Sequence, residues 1–163
     1  MNMVDIYRSM GGVVKQLNLG DVLASNEVSQ KYGLVFTAVE AEELIEARNR
    51  SISSHGRVEL GIDVVKKMIA VFCTSAYINR DDYAATISEL IDIFYYMKNE
   101  TEDRIGDDEL IDMMYENYNG SCKGSLDLLR NRELALYADS FRRMMQETEY
   151  SLQRSKYDEG YEY

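Results

Sequence analysis

Apolar residues recur at helical spacing through most of the chain, and this pattern predicts an all-α fold, a compact orthogonal bundle of five to seven helices. Met3, Ile6, Met10, Val13, Val14 and Leu17 mark an opening helix over 3–17, weakened in its middle by Gly11-Gly12. A short helix is expected from Asp21 to Tyr32, closed by Gly33. Thr37 with Glu40 three residues later is a capping-box pattern, and Glu40, Glu42 and Glu43 sit in a first turn, where the helix dipole favours acids. Ala41, Leu44, Ile45 and Ile52 form the inner stripe of that helix, and Gly56 ends it.

Residues 57–60 alternate charged and apolar, and with no partner strand in view they read as an extended link. The most apolar helix covers 61–76, with Ile62, Val65, Met68, Ile69, Phe72 and Cys73 inward, which places it near the centre of the fold. Asn79 caps a long helix over 80–100, striped by Tyr83, Ile87, Leu90, Ile91, Phe94 and Met97. Gly106 breaks the chain, Asp107 is placed to cap the next helix, and Leu110, Ile111, Met114 and Tyr118 give it an apolar face. The run from Asn119 to Ser125 is the clearest loop, and a last helix is expected over 133–152. The pattern therefore predicts one helical domain over 1–150, with 1–20 peripheral, and a frayed acidic, tyrosine-containing tail over 151–163.

Charge sharpens this picture. The net charge is −11, yet residues 1–80 hold nine acids and nine bases, so the whole excess lies in 81–163, with twenty acids against nine bases. Such a surface repels phosphates and anionic lipid, which argues against nucleic-acid and membrane partners. No apolar run is long enough to span a bilayer, and the start shows no basic region feeding an apolar one. Two cysteines 49 positions apart and one histidine point to a reducing cytoplasm and away from imidazole-rich zinc sites. No cofactor is expected.

Candidate chemistry is sparse. Acids at i, i+3 or i+4 share a helix side and can hold a hard cation; of these pairs, Glu89 with Asp92 borders a packed face and is the weak candidate for a metal site. The acids around Gly106 fail the calcium-loop spacing, since Ile105 and Met114 fall at ligand positions. Gly120, Lys123 and Gly124 lack the order of a phosphate-binding loop. Cys122, in that loop beside Lys123, reads as the more exposed and reactive thiol, and His55 as a helix-end cap. Arg48, Arg50 and Arg57 form the one compact basic set, and Arg48 shares a face with Ile52, so its burial calls for an acid partner. Phe94, Tyr95 and Tyr96 cannot all point inward, which suggests a ring at a groove or contact.

Several runs, among them Glu46-Ala47-Arg48-Asn49-Arg50, Phe72-Cys73-Thr74-Ser75-Ala76-Tyr77-Ile78 and Asn119-Gly120-Ser121-Cys122-Lys123-Gly124-Ser125, resemble a family of small helical bacterial proteins of unknown function over roughly 30–145. The resemblance implies an intracellular bacterial protein and brings no activity or site residue with it. The leading expectation is a cytoplasmic protein-interaction module whose acidic C-terminal half meets a basic partner, with Arg48, Arg50, Arg57, Phe94, Tyr95, Tyr96, Asp107, Asp108, Cys122 and Lys123 as candidate surface residues. The alternatives are a small divalent-metal-dependent hydrolase using paired carboxylates and a structural homodimer subunit.

Overall fold

The computed structural model describes residues 2–159, except the side chains of 4, 6–9, 158 and 159. Six long helices build it, and the described residues contain no strand: α1 (Met3–Ala24), α2 (Ala38–Ser54), α3 (Asp63–Phe72), α4 (Tyr83–Glu100), α5 (Asp107–Asn119) and α6 (Leu134–Glu159). The expected all-α bundle is the fold observed.

Local rules explain most boundaries. Thr37 accepts from the Glu40 backbone N–H while Glu40 accepts from that of Thr37, completing the capping box at α2. Removing such a cap costs about 1 kcal/mol. His55 occupies the other end of α2. Asn79 accepts from the Asp81 N–H and starts a 3-10 turn, Arg80–Asp82, that leads into α4. At α5, Gly106 takes the cap position and Asp107 begins the helix proper.

Two elements differ from the sequence pattern. First, α1 does not stop at residue 17 but continues through Gly20 to Ala24, and the expected second helix shrinks to the turns Asn26–Ser29 and Gln30–Tyr32, ended by Gly33 at φ +75. The face of α1 is also different. Met3, Met10, Val13 and Leu17 are exposed, while the inward residues are Asn18 and Val22 with Leu19 and Leu23 beside them. The helix docks by its second half, where the body lies beneath it. Ile6 falls outside the described side chains.

Second, the tail expected to fray is helical as far as Glu159; residues 160–163 lie outside the described residues. α6 is preceded without a break by a short turn, Leu126–Leu128, capped by Ser125, and a π segment, Leu129–Glu133. The π turn closes over five residues, so Leu129 and Leu134 both face the body and both are buried; in a regular α-helix they would point about 140° apart.

The core centres on α4, ten of whose eighteen residues are buried, packed along α2 on one side and α3 on another. α3 contributes Val64, Val65, Met68, Ile69 and Phe72 but turns Lys66, Lys67 and Ala70 to solvent, so it is a flank of the core and not its middle.

Three tyrosine hydroxyls lie within this core. Burial pushes the Tyr83 phenol up to about 12 and raises those of Tyr95 and Tyr118. An unfolded tyrosine ionises near pH 10, so between pH 10 and about 12 the unfolded chain sheds protons that the folded one keeps. Stability is therefore expected to be intact below pH 10 and to fall as pH rises through that window. Urea melts across the window will show it, and Tyr83→Phe should flatten the slope. Ionisation of every tyrosine near pH 10 with the fold intact would refute the assignment.

Candidate functional site

The basic set near the end of α2 separates into two environments. Arg48 is 2% exposed. Its guanidinium donates to the Asn49 side chain at 2.8 Å, to the Glu59 carbonyl at 2.7 Å and to the Gly61 carbonyl at 2.5 Å. The expected acid partner is absent: among the described residues Arg48 forms no ion pair, and backbone of the 57–61 link takes the place of one. The link is thereby fixed against α2. The Glu59 carboxylate instead accepts from the Tyr95 hydroxyl at 2.5 Å and pairs with Arg57 at 3.4 Å, while Arg57 also pairs with Asp103 at 2.6 Å and lies over the Tyr95 ring. Lys98, buried on the neighbouring turn of α4, donates to the Ile105 carbonyl and pairs with Asp107, both at 2.7–2.8 Å. This holds the turn in which Glu102 and Asp103 take positive φ.

Arg50 is on the opposite side of α2 and is exposed. It shares with Ser51, Glu89, Asp92 and Arg130 an open groove of about 570 Å³ between α2 and α4. The two carboxylates proposed for a metal do meet here, but Asp92 is already engaged, accepting from Ser51 at 3.0 Å and pairing with Arg130 at 2.9 Å. Among the described residues no group of three or more His, Cys, Asp or Glu side chains is placed to hold a metal ion. Arg130 had no signal in the sequence: it comes from the π segment, 38 positions from its partner.

Phe94 and Tyr95 are fully buried, in edge-to-face contact 5.1 Å apart, and only Tyr96 of the three rings reaches the surface, half-buried. A contact surface built on Phe94 and Tyr95 is therefore not available in this fold. The same correction applies to Cys122. It is 2% exposed, and burial raises its thiol pKa; Cys73 behaves alike. The glycine-rich loop folds onto α5 instead of standing out from it, with the Gly124 N–H donating to the Tyr118 carbonyl at 2.7 Å. Lys123 is exposed, at φ +48.

The exposed chemistry lies on α5 and α6. On α5, Asp108, Asp112 and Glu116 recur every four residues along one exposed face with Glu109 beside them, and of these only Asp108 is paired among the described residues, to Lys67 at 2.8 Å. On α6 the inward stripe reads Leu134, Ala138, Phe141, Met145 and Leu152. It is buried at the first two, half-buried at the next two, and exposed at Leu152. From Gln146 to Tyr157 every described side chain is exposed, Tyr150 and Tyr157 among them.

Residues 21–147, from the second half of α1 to the middle of α6, match a family described as a family of unknown function, DUF6323. The chain belongs to this family. The matched span takes in the Arg48 network, the Asp92 groove, the acidic face of α5 and the 119–125 loop, and it leaves out the first 20 residues and the last turns of α6. The DUF6323 match is thus to a small all-helical protein, and it carries no activity. Among curated proteins and among solved structures nothing matches the chain. No helix of the described residues is long and apolar enough to cross a membrane.

Proposed function

We propose that this DUF6323 chain is a bacterial cytoplasmic protein-interaction module, and that α6 together with the acidic face of α5 receives a partner protein presenting an apolar groove edged with lysine and arginine. The observation that carries the reading is the α6 stripe, which packs on the body at Leu134 and Ala138 and then runs off it, leaving Leu152 60% exposed. A continued stripe of this kind is how an amphipathic helix meets a groove. Glu109, Asp112 and Glu116, exposed and without an ion pair among the described residues, set the sign of the partner's charge. Two buried free thiols fit a reducing compartment.

Tagged wild-type protein, Leu152→Ser and a double charge reversal, Asp112→Lys with Glu116→Lys, should be compared by affinity capture and quantitative mass spectrometry. All three substituted positions are exposed, so circular dichroism should show an unchanged fold. The reading requires a stoichiometric partner that is depleted about tenfold or more by each variant and weakened by added salt. Equal recovery with all three proteins, or recovery of this chain alone, would overturn it. The hydrolase alternative has less support, because Asp92 would have to give up Arg130 to accept a cation.

A further inference from the structure

α1 docks by its second half, and from Met3 to Val13 every described side chain is exposed. A helical segment this short is marginal in water unless one face is packed, and Gly11-Gly12 weakens it further. The sequence shows which face that is. In seven-residue repeats begun at Met3, the first positions are Met3, Met10, Leu17 and Ala24, and the fourth positions include Val13 and Gly20. All six are exposed, the four large ones by 54–67%. This is the seam of a coiled coil, and it lies to one side of Asn18 and Val22, which face the body.

The seam continues into the 57–61 link. Met10 and Val14 line one cavity with Val58 and Leu60, which are 87% and 72% exposed. Large apolar side chains, each more than half exposed, thus adjoin one another here, and a monomer seldom leaves a contiguous apolar patch of more than a few hundred Å². Charge identifies the occupant. Each copy carries −11, all of it beyond residue 80, so two copies repel over most of their surface. α1 is different: residues 3–24 hold Asp5 and Asp21 against Arg8 and Lys15, and none of these falls on a seam position. A basic partner gains nothing there, and a membrane-surface helix needs a polar face rich in lysine and arginine, which two matched bases do not make. A second neutral seam of the same kind fits it.

We propose that α1 pairs antiparallel with α1 of a second copy of this chain, through Met3, Met10, Val13 and Leu17, in a two-fold symmetric contact. Antiparallel pairing lays the unsupported first half of each helix along the second half of the other, beside the partner's link. It also carries the two acidic bodies to opposite ends, where parallel pairing would set them side by side. About twelve positions of α1 together with the link enter such a contact, which is near the lower end of specific interfaces, so a dimer of micromolar strength is expected. The seam is separate from the α5 and α6 surface, and up to residue 20 it lies outside the family match.

Sedimentation equilibrium of the full chain from about 1 to about 100 µM should show a monomer–dimer equilibrium with a micromolar Kd. Met10→Glu combined with Leu17→Glu, both at exposed positions, should keep the helical spectrum and weaken the dimer about tenfold or more, while Leu152→Ser leaves it unchanged. Both native cysteines are buried, so engineered ones report the direction of pairing. Mixed under oxidation, Met3→Cys and Leu17→Cys chains should link to each other in preference to themselves. A chain still monomeric at about 100 µM, whether inert or captured on phosphatidylcholine vesicles, would overturn the proposal. So would a dimer indifferent to the α1 substitutions, and self-linking of each cysteine variant would overturn the antiparallel arrangement.

Discussion

Phe72→Ala will destabilise the protein by about 3–5 kcal/mol, the largest effect expected of any substitution considered. Phe72 is fully buried at the end of α3, and its ring meets Tyr115 and Tyr118 of α5 edge to face, each at 5.5 Å between centroids. Its removal loses the transfer energy of the ring and both aromatic contacts, and neighbours fixed in α3 and α5 can only partly close the space. The urea midpoint should fall with the slope unchanged, since the surface exposed on unfolding is nearly the same. A loss below about 1 kcal/mol would mean that the aromatic cluster is not packed as described.

Gly124→Ala is next, at about 2–4 kcal/mol, combining a backbone penalty with overpacking. Gly124 sits at φ +80, a conformation that L side chains rarely adopt, and a Cβ there would lie 2.6 Å from the Tyr77 Cβ. Tyr77 in turn meets Tyr118 edge to face, so the clash is transmitted to the same aromatic group that Phe72 anchors. The comparison is Gly11→Ala, where the space is open and φ is helical: that change should stabilise by up to about 1 kcal/mol. Thermal melts of the pair, moving in opposite directions, would separate the roles of two residues that composition alone counts as equivalent. Destabilisation of similar size at both positions would defeat the argument.

Rules acting over three or four residues were legible in the sequence. The Thr37–Glu40 capping box, the Asn79 cap, the break at Gly106 and the stripes of α2, α4 and α5 all follow from spacing, and together they are enough for the fold class. What failed depended on where one element lies over another. The α1 stripe was misjudged because nothing local shows that only the second half of that helix has a body beneath it. Cys122 was expected at the surface because a glycine-rich loop ordinarily is; here the loop is folded back by a bond from Gly124 to the Tyr118 carbonyl.

The sites divide in the same way. Burial of Arg48 was readable from its sharing a face with Ile52, but its acceptors are main-chain carbonyls of the 57–61 link, which no side-chain identity announces. Glu89 with Asp92 follows from spacing along one helix and Arg50 belongs to a separate basic set, and the groove that joins them needs α2 beside α4 and Arg130 from a third segment. The adjacency of Phe94, Tyr95 and Tyr96 suggested an exposed ring; α4 is surrounded closely enough to bury two of them and leave only Tyr96 at the edge.

The π turn at Leu129–Glu133 also makes the azimuth of α6 a matter of counting. Loss of one residue there would set Leu129 and Leu134 four apart, as in an ordinary turn, and keep the inward face, whereas gain of one at ordinary helical spacing would rotate everything downstream by about 100°. Leu134 and Ala138 would swing off the body, and the free end of the helix would present a different set of side chains without any of them having changed. A lineage could in this way exchange the binding face of its terminal helix by a single codon's insertion, a route closed to α2 and α4, whose residues are held on several sides at once.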